Sequence, residues 1–422
     1  GEVYFVFSNP GVESTSTARS TPLSSAGTAT EPQATVAAPR ATMAGTPPLV
    51  PGRAEATEFS RDAADALASL DTAAKQRPAI RALSERRELT VGTSTDSFAM
   101  DYDGNTMQAT LRFERTADGV TLRIWVPENA YAGGDRDHLV TQGMVDAMGH
   151  EFLAAGADND IYDWVTGIYG DPWGAYSSSL TNLIPESRAS HIDILLYDID
   201  GDNQDGTLGY YWAKDNYAGY SWSNERLMFY IDSVYYADGG TPGEQDGGVW
   251  SIDDHYPAMQ ISTLAHEFQH MIHWYQKPVL RTSSGGEVGG SDTWVNEMLS
   301  LMAEDLVSQR LQDIAALDVA GPRGVTGASE GPAGITSGRL PGFNYYNDWP
   351  VTQWYGSWID YSAAYAFGAY LARNFGGEDL MADILQSSAR DRNSIEEALA
   401  GQGYGEVTFE EAFRLHPVAV LL

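Results

Sequence analysis

Leu264-Ala265-His266-Glu267-Phe268-Gln269-His270-Met271-Ile272-His273 places two histidines four residues apart around a glutamate, in a segment whose apolar residues recur at helical spacing. In an α-helix, residues i and i+4 lie one turn apart on one face, so His266 and His270 both aim a ring nitrogen at one ion, about 2.0–2.1 Å away for zinc. Glu267 stands about 100° round the helix, beside the ion, where a base must stand to take a proton from an attacking water. Such a string also arises by chance on an exposed helix face, so its surroundings decide between the two readings.

Those surroundings first exclude one class. A metzincin continues HExxHxxGxxH, but here the glycine position is His273 and the third histidine position is Gln276. A third ligand must come from elsewhere. The loop Ser283-Ser284-Gly285-Gly286-Glu287-Val288-Gly289-Gly290 leads to a second helical segment, Trp294-Val295-Asn296-Glu297-Met298-Leu299-Ser300, with Ser291, Asp292 and Thr293 as cap residues. The 26 residues between His270 and Glu297 let the chain leave one helix, cross the loop and return.

The pair HEFQHMIH and WVNEMLSLMAE resembles the hyicolysin family of gluzincin metallopeptidases. The chain is also similar to that family at Asn159-Asp160-Ile161-Tyr162, in the turn Gly170-Asp171-Pro172-Trp173-Gly174, in the Asp-rich stretch near 198 and in the strand Phe229-Tyr230-Ile231-Asp232, roughly over residues 138 to 376. The resemblance implies zinc held by His266, His270 and Glu297, Glu267 as general base and then acid, and hydrolysis of peptide bonds in a secreted or cell-surface setting. Two departures matter. Where the thermolysin-like pattern NExxSD has Asp, this chain has Leu301. Glu304, seven residues after Glu297, matches an outer carboxylate of related aminopeptidases that would fix a ligating histidine, and reads equally as an ordinary helix carboxylate.

Tyr365-Ala366-Phe367-Gly368 is similar to the YxKG element of gluzincin aminopeptidases, which implies Tyr365 as an oxyanion donor, although Phe367 replaces the lysine. A merely packed tyrosine is the alternative. The GxMEN-type element that grips a free amino terminus is absent, which favours an endopeptidase over an aminopeptidase. A rival from another class is a non-catalytic adhesin or binding protein with a structural zinc, which would need a fourth ligand such as His273 or His255. His273 lies about 10 Å along the helix from His266, too far to share one ion with both partners, and reads as packing or as an outer contact. Asp198, Asp200, Asp202 and Asp205 alternate in a Gly-containing loop after a buried strand, which suggests calcium; without EF-hand spacing, an acidic surface turn is the other reading.

Outward from these motifs, the chain is expected to be α+β. Residues 1–57 read as a short strand, Val3-Tyr4-Phe5-Val6-Phe7, and a Ser/Thr/Ala/Pro-rich linker. Residues 58–137 read as a helix and a small antiparallel β-domain, and 138–422 as a gluzincin-type catalytic domain with a mixed sheet and the HExxH helix. With 58 acidic against 25 basic residues, a formal charge of -33 repels phosphate backbones and anionic lipid, so a nucleic-acid or membrane partner is not expected and the partner is a protein or peptide substrate. The absence of cysteine excludes thiolate metal sites and thiol catalysis. No apolar run is long enough to span a bilayer.

Overall fold

Alternating apolar and polar residues on either side of Asp118-Gly119 build the central hairpin. Both turn residues have positive φ, 48° and 87°, the conformation a two-residue hairpin turn requires and which Asp and Gly tolerate best. The computed structural model describes residues 3–4, 22–23, 89–180, 182–201, 207–239, 249–283, 289–315 and 339–421. The helix expected over 58–87 lies outside them. Strands β1 (Val3–Tyr4) and β2 (Pro22–Leu23) pair antiparallel with each other.

The remaining strands are β3 (Thr95–Ala99), β4 (Thr106–Ala117), β5 (Val120–Val126), β6 (His191–Tyr197), β7 (Gly209–Tyr211) and β8 (Leu227–Asp232). They form one six-stranded mixed sheet, ordered β3-β4-β5-β6-β8-β7, in which β5, β6 and β8 run parallel and the other pairings are antiparallel. β6 and β8 are almost wholly buried, which explains their apolar runs, 194–197 and 227–231. The hairpin expected as a domain of its own is therefore part of the same sheet as the later strands, and no gap between sheets falls at residue 137.

Helices α1 (Gln142–Phe152), α2 (Ile161–Tyr169), α3 (Ser233–Ala237), α4 (His255–Trp274), α5 (Leu280–Ser283), α6 (Thr293–Ala315), α7 (Arg339–Tyr345), α8 (Trp358–Phe375), α9 (Gly377–Gln386), α10 (Arg392–Gly401) and α11 (Phe409–Leu421) complete the described chain. The main core lies between the sheet and α1, α2, α4, α6 and α8; a smaller cluster including Phe98, Trp125, Met228 and Tyr230 covers the opposite face. α4 packs on β7 and β8, α6 packs on α4, and α8 packs on α6. Helices in the middle of such a stack are buried all round, as α8 is from Asp360 to Ala372. Beyond Trp274 the backbone widens into a π-turn, Tyr275–Val279, which accommodates Pro278 and its missing N–H. Among the described residues no helix is long and apolar enough to cross a membrane.

Candidate metal centre

The HExxH segment lies in the second half of α4, and Glu297 lies in the second turn of α6, so the crossing of these two helices brings the three side chains together. His266, His270 and Glu297 are 1%, 5% and 0% exposed, and each offers a ligand atom within 4.8 Å of the others'. The Glu297 carboxylate lies 3.2 Å from His266 Nε2 and 3.5 Å from His270 Nε2. Tetrahedral ligands about 2.0–2.1 Å from one zinc ion stand about 3.3–3.4 Å apart, so the donor set fits that ion in type and in spacing. Glu267 is 2% exposed and follows His266 directly on the helix.

The two histidines are held from behind by different means. His266 Nδ1 is 2.6 Å from Glu304 Oε1, so Glu304 is an outer partner of the cluster and not a solvated helix carboxylate. Ser262 Oγ donates to the other Glu304 oxygen at 2.9 Å, and Arg339 Nη2 donates to both, at 3.0 and 2.9 Å. Behind His270 stands Ser300, whose Oγ lies 3.1 Å from Nδ1, closer than its 3.4 Å to Nε2, and donates to Gln269 Oε1 at 2.5 Å. With its hydrogen directed at Gln269, the Ser300 oxygen accepts from Nδ1–H, and Nε2 faces the Glu297 carboxylate.

Sequence reasoning missed Ser300 and Arg339. Ser300 was legible as the residue three after Glu297 on the same helix, hence one turn on towards the motif. Arg339 carried no signal, because it lies far along the chain from every residue it touches.

Tyr365, expected as an oxyanion donor, lies on α8. Its hydroxyl donates to Asp305 Oδ1 at 2.7 Å, and Arg373 Nη2 donates to both Asp305 oxygens, at 3.1 and 2.9 Å. Its hydrogen is thus spent on the buried Asp305 carboxylate, which a half-exposed Arg373 also pairs. Tyr361, one turn earlier, is the tyrosine beside the metal cluster: its ring centroid is 6.4 Å from that of His266 and 4.8 Å from that of Trp354, with the Arg339 guanidinium 5.8 Å over its face.

His273 is not in the cluster. Its Nε2 lies 3.0 Å from Ser291 Oγ, and burial, with Lys277 and His270 nearby, holds its pKa well below the ordinary value. The side chain of His255 lies outside the described residues. In the acidic loop, Asp198 is buried and its Oδ2 pairs with Arg136 Nε at 2.7 Å. The side chain of Asp200, with Asp202 and Asp205, lies outside the described residues.

The sequence model of the Peptidase M30 family matches residues 103–420. Over 298 residues the chain is 25% identical to the neutral metalloprotease ShpI of Staphylococcus hyicus, a stretch covering 68% of this chain and 54% of that protein. The chain thus spans about half the length of the curated relative it matches.

Proposed function

Because this chain belongs to the peptidase M30 family, the hyicolysins, we propose that it is a zinc-dependent endopeptidase of the gluzincin type that cleaves peptide bonds within proteins outside the cell or at its surface. The observation that carries this reading is the meeting of two buried imidazoles and one buried carboxylate within 4.8 Å, with Glu267 beside them. His266, His270 and Glu297 hold the ion. Three protein ligands leave one place of a four-coordinate shell open, whereas a structural zinc is closed by four. When bound, zinc supplies Lewis acidity at the scissile carbonyl.

The remaining chemistry belongs to the chain's own side chains. Glu267 accepts a proton from the attacking water and returns it to the leaving amine. Tyr361, not Tyr365, donates to the oxyanion as the carbonyl becomes tetrahedral, since its ring flanks His266 while the Tyr365 hydroxyl is engaged by Asp305. Glu304 and Ser300 fix the two imidazoles so that each turns Nε2 towards Glu297.

The test is hydrolysis of a protein substrate and of an end-blocked internal peptide, with chelator and after zinc is restored. Cleavage of the blocked peptide distinguishes an endopeptidase from an aminopeptidase. Glu267→Gln is expected to retain about one zinc per chain and to lose turnover by about 10²- to 10⁴-fold, because an amide does not accept the proton. Turnover of that variant at the wild-type rate, or activity indifferent to chelator, overturns the reading.

A further inference from the structure

Resting on the zinc reading above, we propose that Arg339 is a positioning residue of the metal centre, acting through Glu304 on His266. Glu304 is 0% exposed, and its two oxygens accept from His266, Ser262 and Arg339. Of these, Arg339 is the donor that carries a permanent charge. A carboxylate taken fully out of water is costly unless a counter-charge and hydrogen bonds replace its hydration. Arg339, itself 8% exposed, supplies both, and because it bonds both oxygens it also fixes the rotation of the carboxylate that faces His266 Nδ1.

The arginine reaches this place because of how α7 is seated. Gly342, one turn after Arg339, lies so close to α8 that a Cβ there would be 2.6 Å from Ser362 Oγ and 2.6 Å from the Trp358 ring. That close approach seats α7 on α8, and from the first turn of α7 the Arg339 side chain reaches Glu304 on α6. Its two bonds to Glu304, which also contacts His266 Nδ1, are the route by which Arg339 bears on the ligands. Outer partners of metal ligands commonly contribute 10- to 100-fold in metal affinity.

The experiment measures zinc affinity by chelator competition on the full chain after metal removal, for wild type, Arg339→Met, Arg339→Lys, Glu304→Gln and the Arg339→Met/Glu304→Gln double variant. Circular dichroism and thermal melting verify folding. Arg339→Met is expected to weaken zinc binding by about 10- to 100-fold, and Arg339→Lys to recover part of the loss, since it keeps the charge without the planar fork. The double variant is expected to bind zinc within about twofold of Glu304→Gln alone, because one residue acts through the other. Wild-type affinity in folded Arg339→Met, or losses that simply multiply in the double variant, overturns the proposal. Should Arg339→Met not fold, Arg339→Lys decides: wild-type affinity in that variant overturns it. A wild-type chain that binds no zinc in the same assay fails the zinc reading itself, whereas tight wild-type binding with unaffected variants fails only the role of Arg339.

Discussion

Two helices carry a pair of like side chains one turn apart, and the pairs end differently. On α4, His266 and His270 converge on one carboxylate, Glu297, at 3.2 and 3.5 Å. On α8, Tyr361 and Tyr365 part company: one ring lies 6.4 Å from His266, while the other hydroxyl bonds to Asp305 at 2.7 Å. The spacing is the same, so the difference comes from what the facing helices present. α6 offers the histidines a carboxylate within reach of both, and offers Tyr365 a separate carboxylate that takes its hydrogen. Periodicity puts side chains on a common face, and the surface opposite decides which atoms they meet.

The largest expected effect tests the divergence on α8. Tyr361→Phe should lower kcat by about 10²- to 10³-fold with KM nearly unchanged, as for loss of one oxyanion donor. Tyr365→Phe should leave kcat close to wild type. Steady-state kinetics on a peptide substrate measure both, and equal kcat losses would erase the distinction drawn between the two tyrosines.

A buried imidazole on α11 sharpens the contrast with the histidines of α4. His416 is 2% exposed, packed among the rings of Phe343, Phe367 and Tyr370, and burial lowers its pKa to about 4. Its ordinary pKa is near 6.5, so the unfolded chain takes up a proton on this group before the folded chain does. Stability is then fully present above pH 6.5 and is lost as pH falls towards 4, by at most about 3 kcal/mol. In denaturant melts across that window, the stability of wild type relative to His416→Leu should fall by up to about 3 kcal/mol as pH falls; a difference that does not change with pH would show that His416 does not titrate this way.

Next in size is the asymmetry behind the two cluster histidines. Glu304→Gln should weaken zinc binding by about 10- to 100-fold, whereas Ser300→Ala, which removes a neutral partner, should cost less than about 10-fold. Chelator competition measures both. A larger loss for Ser300→Ala would reverse the ranking of a charged over a neutral partner. The smallest effect is on stability: Tyr365→Phe should destabilise the fold by about 1–3 kcal/mol, the usual range for losing a hydrogen bond to a charged group, in urea melts of the metal-loaded protein. No change in the midpoint would mean that Arg373 alone satisfies Asp305.

Local patterns along the chain carried part of this architecture. The i, i+4 spacing put His266 and His270 on one face of a helix, the capped segment after the Gly-rich loop marked α6, apolar runs marked β6 and β8, and Asp118-Gly119 marked a hairpin turn, because each depends on residues within a few positions of one another. Long-range packing supplied the rest. It joined β5 to β6 in parallel, so that the hairpin and the later strands share one sheet. It turned Tyr361 rather than Tyr365 towards His266, gave Asp198 to Arg136, put Ser300 behind His270 and brought Arg339 to Glu304. Each of these is a contact between elements that sequence does not place side by side, and the angle and depth at which helices and strands dock are set by packing of the whole core, which no local pattern encodes.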